Sequence, residues 1–259
     1  MSSTTPQENP PNEKAEIRRQ NEMSIEEYIA MQPRLAWRRA IIRGAIRFFI
    51  MTLLCKVKIT GEENIPATGS AMLMMNHLSL LDPVVCIGAV RHRFVVPMTK
   101  VENMKMPIMG SLIRWYGAYS VNRGEVDRRA LTSSIELIKA GQLVLIAPEG
   151  TRQRDGLAEA KDGFVYVATK ANPVIIPAAV TGVQDWMNEL KRLKRPNITV
   201  TFGKPFKFKT QGRTRIPREE MTAMSHEAMY QLAATLPDPA LRGKYADLSK
   251  LTTHFIEFV

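Results

Sequence analysis

AMLMMNHLSLLDPVVCIGAV, residues 71–90, decides the fold. Its first part, Ala71–Asn76, is a short apolar run of strand length, and DPVVCIGAV (82–90) reads as a helix. The same alternation recurs along the chain. RFVVPM (93–98), AYSVN (118–122), QLVLIAP (142–148), PVIIPAAV (173–180) and NITVTFG (197–203) read as strands. PIMGSLIRWY (107–116), VDRRALTSSIELIKAG (126–141), GFVYVATKA (163–171) and PREEMTAMSHEAMYQLAATL (217–236) read as helices. Strands alternating with helices imply an α/β fold with a central mixed, partly parallel sheet flanked by helices.

The composition suits such a core. Of 259 residues, 45% are hydrophobic and 24% charged. The formal net charge of +11 points to anionic partners: nucleic acid, anionic lipid or phosphorylated small molecules. Cys55 and Cys86 form no disulfide framework, and no His/Cys cluster suggests a metal. A zinc-finger spacing and an RNP-type aromatic motif are both missing, so nucleic acid is not the expected partner.

Residues 1–22 are polar and Pro-rich, without the apolar core of a signal peptide, and read as a disordered leader. Residues 23–56 form the next unit. Ser24 and Glu27 have capping-box spacing ahead of a short helix that Pro33 should stop. In the helix beyond it, Arg39, Arg43 and Arg47 share one face, opposite Trp37, Ile41, Phe48 and Phe49. A basic stripe opposing bulky apolar residues suits a helix lying in a membrane interface. The other reading is an amphipathic helix packed on the domain with its basic face solvated. No window is long and apolar enough to span a bilayer. The remainder divides into a main domain, 57–240, and a tail, 241–259.

His77 falls where a strand ends and a helix begins, a position where sites gather in open α/β sheets. A His can act as a base near neutral pH, and a carboxylate on its other ring nitrogen fixes the tautomer. Asp82 lies five residues on. In one regular helix the two would point about 140° apart, so a turn at Leu78–Ser79 is needed to join them. Ser79 and Asp82 also have capping-box spacing, which leaves a purely structural role open. Further on, Glu149, Gly150, Thr151 and Arg152 follow a strand. There Gly150 permits an unusual turn and Arg152 offers a fork for phosphate or carboxylate. Lys100, Arg123 and Lys161 are further cations in loops after strands, and together they suggest a site for an anionic substrate.

NHLSLLD (76–82) resembles the N-H-x4-D signature of the glycerophospholipid acyltransferases, and APEGTR (147–152) resembles their F-P-E-G-T-R block. GAYSVNR (117–123) and VIIPAAV (174–180) are similar to the remaining two blocks, in the expected order. Ala147 stands for the usual Phe, and Ser120 for a residue that is often aromatic or apolar; neither change removes a charged group. The chain most resembles the bacterial 1-acylglycerol-3-phosphate branch. That resemblance implies fatty acyl transfer from acyl-CoA or acyl carrier protein to the free hydroxyl of lysophosphatidic acid, with no metal or other cofactor. His77 would be the general base and Asp82 its orienting partner. Asn76, Glu149, Gly150, Thr151 and Arg152 would contact substrate, Lys100, Arg123 and Lys161 would support as cations, and Pro177 would shape a channel.

A lipid product implies a membrane-facing site. The chain is therefore expected to be peripheral or monotopic on the cytoplasmic face of the cell membrane. Trp37, Arg39, Arg43, Arg47, Phe48, Phe49 and the basic loop KRLKRP (191–196) would meet anionic lipid. Two alternatives stay open at this point. One is a related acyltransferase using glycerol 3-phosphate or another acceptor, and the other is a basic binding protein without catalysis.

Overall fold

Ser24 caps the first described helix as the sequence predicts. Its Oγ accepts from the Glu27 amide at 3.2 Å, while Glu27 Oε2 accepts from the Ser24 amide at 3.0 Å. Two amides at the start of α1 (Ile25–Met31) are thereby satisfied. The computed structural model describes residues 23–121, 127–213 and 215–259. The expected leader, 1–22, and Arg123 lie outside them. Pro33 does not stop the helical path. It sits in the first turn of a 3-10 segment, Gln32–Leu35, where its missing N–H has no partner to lose. The path continues through α2 (Ala36–Ala45) and a π-helical stretch, Ile46–Leu54.

The strands are β1 (Lys56–Thr60), β2 (Ala71–Met75), β3 (Val95–Lys100), β4 (Tyr119–Val121), β5 (Leu143–Ile146), β6 (Val174–Thr181), β7 (Asn197–Phe202), β8 (Phe206–Phe208) and β9 (Ile256–Phe258). They lie in the order β1-β7-β6-β2-β5-β3-β4. Neighbours on this path are parallel except β6 and β7. All the strands expected from sequence form, and the sheet is mixed and mostly parallel. Every residue of β2 and β5 is buried, as central parallel strands covered on both faces must be.

Helices complete the layers: α3 (Asp82–Ala89), α4 (Val101–Met104), α5 (Met109–Tyr116), α6 (Arg128–Lys139), α7 (Asp162–Ala171), α8 (Trp186–Lys191) and α9 (Arg218–Thr235). Residues 241–259 are not a loose tail. Their β9 pairs with β8, which pairs with β6. Buried Glu227 on α9 accepts from Thr252 Oγ1 (2.5 Å), His254 N (2.7 Å) and Phe255 N (2.8 Å), and so fixes the approach to β9.

The arginine stripe is oriented opposite to the expectation. Arg39 is 1% exposed. Its Nε donates to Tyr116 O at 3.0 Å and its Nη2 to Gly117 O at 3.2 Å, at the C-terminal end of α5. Arg43 donates to Val90 O and Arg93 O and lies over the Phe94 ring, and Arg47 donates to Gly88 O at 2.8 Å. Gly88 and Val90 end α3. The three guanidiniums therefore supply donors and positive charge to helix C-termini, where last-turn carbonyls lack intrahelical partners. The apolar residues face out instead: Trp37 is 56% exposed, and Ile41, Phe48, Phe49, Leu53 and Leu54 are likewise exposed.

Candidate active site

β2 ends at Met75 and α3 starts at Asp82, and the six residues between form the turn that a His–Asp contact requires. His77 Nδ1 lies 3.0 Å from Asp82 Oδ2. The same Oδ2 accepts from the Leu78 amide at 2.6 Å and the Ser79 amide at 2.7 Å. Ser79 Oγ in turn accepts from the Leu81 amide at 3.3 Å. Asp82 Oδ2 thus holds the turn and meets the imidazole, while the capping-box reading is not realised, because α3 starts from Leu81 without a side-chain cap bond. The other oxygen, Oδ1, is buried and has no hydrogen-bond partner. With Nδ1 facing a fully buried carboxylate, Nε2 is the nitrogen left for a substrate proton.

The loop after β5 holds the backbone of His77 from both sides. Glu149 Oε1 accepts from the His77 amide at 3.4 Å, and the Gln153 amide donates to the His77 carbonyl at 2.7 Å. Glu149 Oε2 accepts from Ala158 N at 3.1 Å. Burial pushes the Glu149 carboxyl up to about 7, with the Asp82 charge adding to the rise against the two amide donors. Glu149 is therefore a clamp between two loops, turned inward, and not an exposed substrate contact. Gly150 has φ +70, as its expected turn demands, and a Cβ there would lie 3.2 Å from Lys161 Cγ. This loop is braced in turn by Leu157, whose amide donates to Leu241 O at 3.1 Å and whose carbonyl accepts from Lys244 N at 3.2 Å.

Thr151 and Arg152 are exposed beside the clamp. Among the described residues Arg152 has no hydrogen-bond or ion-pair partner, so its guanidinium is available to an anion. Lys161 is the N-cap residue of α7, its amide donates to Pro148 O at 2.8 Å, and its side chain passes over Gly150. Lys100 ends β3. Because β2, β5 and β3 are parallel, His77, Glu149 and Lys100 emerge at one end of the sheet.

Two residues expected at the substrate are structural. Asn76 is 1% exposed, and both ends of its amide are taken by Val180: Nδ2 donates to the carbonyl at 2.9 Å and Oδ1 accepts from the amide at 2.7 Å. It continues the β2–β6 ladder with a side chain and sets the residue before the His. Pro177 lies buried within β6 opposite Met74, its carbonyl accepting from Gly203 N at 2.8 Å. The amides of Leu78, Ser79 and Gln153, which brace Asp82 and the His77 backbone, are contacts that sequence reasoning missed. Backbone donors leave no residue-type signal, and only the turn they share hints at them.

Comparisons with known proteins bear on the domain that carries these loops. A family model described as Acyltransferase matches residues 56–181, a span that includes β1 through β6 and both motif loops. A 1-acyl-sn-glycerol-3-phosphate acyltransferase of Borreliella burgdorferi is 28% identical over 143 residues, covering 54% of this chain and 57% of that protein. One of Bacillus subtilis is 25% identical over 182 residues, covering 70% and 88%. The chain thus aligns with little more than half the length of the first of these relatives and most of the second. The crystal structure of the 1-acyl-sn-glycerophosphate (LPA) acyltransferase PlsC from Thermotoga maritima shares the fold. Its TM-score is 0.53 at 22% identity, over 83% of this chain and 84% of that one. Residues 56–181 thus match the Acyltransferase family model, and the fold around the two motif loops is shared with an acyltransferase of known structure.

Proposed function

We propose that the chain transfers a fatty acyl group from acyl-CoA or acyl carrier protein to the free hydroxyl of 1-acylglycerol 3-phosphate, giving phosphatidic acid. The observation that carries the reading is the 3.0 Å contact between His77 Nδ1 and Asp82 Oδ2. Nδ1–H donating to Asp82 leaves the Nε2 lone pair for the acceptor hydroxyl. As Nε2 takes the proton, the hydroxyl oxygen bonds to the thioester carbon and an oxyanion forms. Its collapse breaks the C–S bond, and the departing thiolate takes the proton back from the imidazolium. The products are an ester and a free thiol. Attack is direct, without an acyl-enzyme; Cys55 and Cys86 are both buried. Arg152, with Lys100 and Lys161 in support, is assigned to the acceptor phosphate.

The reaction is further proposed to run at the cytoplasmic face of the membrane, with the chain peripheral or monotopic. The outward apolar face of Trp37, Ile41, Phe48 and Phe49 supports this, as do the exposed cations Lys191, Arg192 and Lys194. No helix among the described residues is long and apolar enough to cross a membrane.

The test is an acyl-transfer assay across a matrix of donors and acceptors, with wild type and His77→Ala. Transfer to 1-acylglycerol 3-phosphate that disappears in His77→Ala supports the reading. Preference for an acceptor without phosphate overturns the role of Arg152.

A further inference from the structure

Between α4 and α5 the chain makes a tight turn at Pro107-Ile108-Met109. Ile108 has φ 59 and ψ −63, and the Met109 amide donates to Pro107 O at 2.6 Å. This is the classic γ-turn, the rare and strained member of its class, and here a β-branched residue occupies its centre. The base of the turn is rigid. Buried Arg114 donates to Met104 O and, at 3.0 Å, to Ser111 Oγ. A Cβ on Gly110 would lie only 2.3 Å from Met104 O, so the two arms approach as closely as glycine allows. The tip is apolar and open to solvent: Ile108 is 80% exposed, and Met106, Met109 and Leu112 are also exposed. Strain held by a braced base to display apolar side chains is a pattern that marks function.

Its position says which function. The segment follows β3, at the sheet end where His77 and Glu149 emerge. Trp115 of α5 meets Trp37 of α2 edge-on, with ring centroids 5.5 Å apart. Through this pair the tip joins the outward apolar face of α2 and the π-helical stretch. Exposed Lys105 flanks it.

We infer that the Met106–Leu112 turn is a second membrane anchor, inserting Ile108 and Met109 among the acyl chains of an anionic lipid surface beside the active-site mouth. The inference rests on the membrane reading above and adds a contact that reading does not contain. An apolar tip continuous with a proposed lipid face and bordered by a cation matches an interface of hydrocarbon beneath anionic headgroups.

The experiment uses Ile108→Cys carrying an environment-sensitive fluorophore. Cys55 and Cys86 are buried, so the label goes to the new thiol. The probe is a vesicle of phosphatidylcholine with phosphatidylglycerol; the companions are Phe48→Cys on the N-terminal face and Glu257→Cys on β9. The expected result is a blue shift at positions 108 and 48, quenched by brominated acyl chains, and none at 257. A shift at 48 with none at 108 overturns the second anchor alone. No shift at either position removes the membrane reading and the anchor with it. The reaction itself is followed separately with detergent-dispersed substrate. A shift at 108 produced by acyl carrier protein or by raising the protein concentration, and not by vesicles, also overturns the proposal. In unlabelled protein, Ile108→Ser with Met109→Ser is expected to weaken vesicle binding about ten-fold or more.

Discussion

Asn76 and Val180 close a two-bond ring, the side chain of one against the backbone of the other, in the sheet interior next to His77. An asparagine is required because the ring needs a donor and an acceptor on one short side chain. Asn76→Ala leaves the Val180 amide and carbonyl buried without partners, at about 1–3 kcal/mol. Asn76→Asp keeps only the acceptor. Both variants are expected to unfold at lower urea concentration and to lose activity through a displaced His77. If Asn76→Ala keeps wild-type stability, the ring is not a structural element.

Asp82→Asn is expected to leave the fold intact, because its side-chain oxygen can still accept from Leu78 and Ser79. The imidazole loses its charged partner, however, and kcat should fall by about 10²–10⁴. Thermal unfolding and steady-state kinetics on the same preparation separate the two effects. Undiminished kcat would refute the orienting role.

Glu149 makes stability depend on pH. The folded carboxyl titrates at about 7 against an ordinary 4.5, so the folded state binds more protons between these values. Its contribution is complete below about pH 4.5 and is lost as pH rises through 7, by up to about 3 kcal/mol. Urea midpoints for wild type and Glu149→Gln at pH 5 and pH 8 should show the decline in wild type and a flatter profile in the variant. Parallel profiles would disprove the link.

Arg39→Met tests the inverted helix. A solvated arginine could be replaced without consequence, whereas this one leaves the Tyr116 carbonyl at the end of α5 unpaired and the Gly117 carbonyl with Tyr28 Oη alone. A loss of about 1–3 kcal/mol is expected in detergent-free buffer with no lipid present. A silent substitution would contradict the packing.

Arg152→Ala should raise KM for the phosphorylated acceptor about ten-fold or more, with unfolding unchanged, because the side chain is exposed and without partners among the described residues. An unchanged KM would place the phosphate elsewhere.

The sequence made the central strands legible because continuous apolar runs such as LVLI leave few other structures open. It missed KVKIT (56–60), whose solvent-facing positions alternate with half-buried ones and read as polar chain. The short strands β8 and β9, each three residues long, carry too little pattern to be seen. For the site, residue type located His77 and Asp82, but it could not separate ligand contacts from scaffolding. Asn76 and Glu149 have side chains suited to either role, and only the positions of Val180, Ala158 and the His77 amide assign them to the scaffold. Helical periodicity likewise defined two faces from Arg39 to Phe49 without saying which one packs.

The inward turn of Arg39, Arg43 and Arg47 changes what ionic strength should do. The guanidiniums keep their charge but sit behind the apolar face, so Trp37, Phe48 and Phe49 meet the surroundings ahead of the arginines. Raising salt shortens the reach of Lys191, Arg192 and Lys194 to within a few ångströms at about 1 M. It leaves the contact proposed for Trp37, Phe48 and Phe49 untouched or strengthened. On the proposed membrane reading, approach to a charged surface and retention on it become separable, the first sensitive to electrolyte and the second indifferent to it.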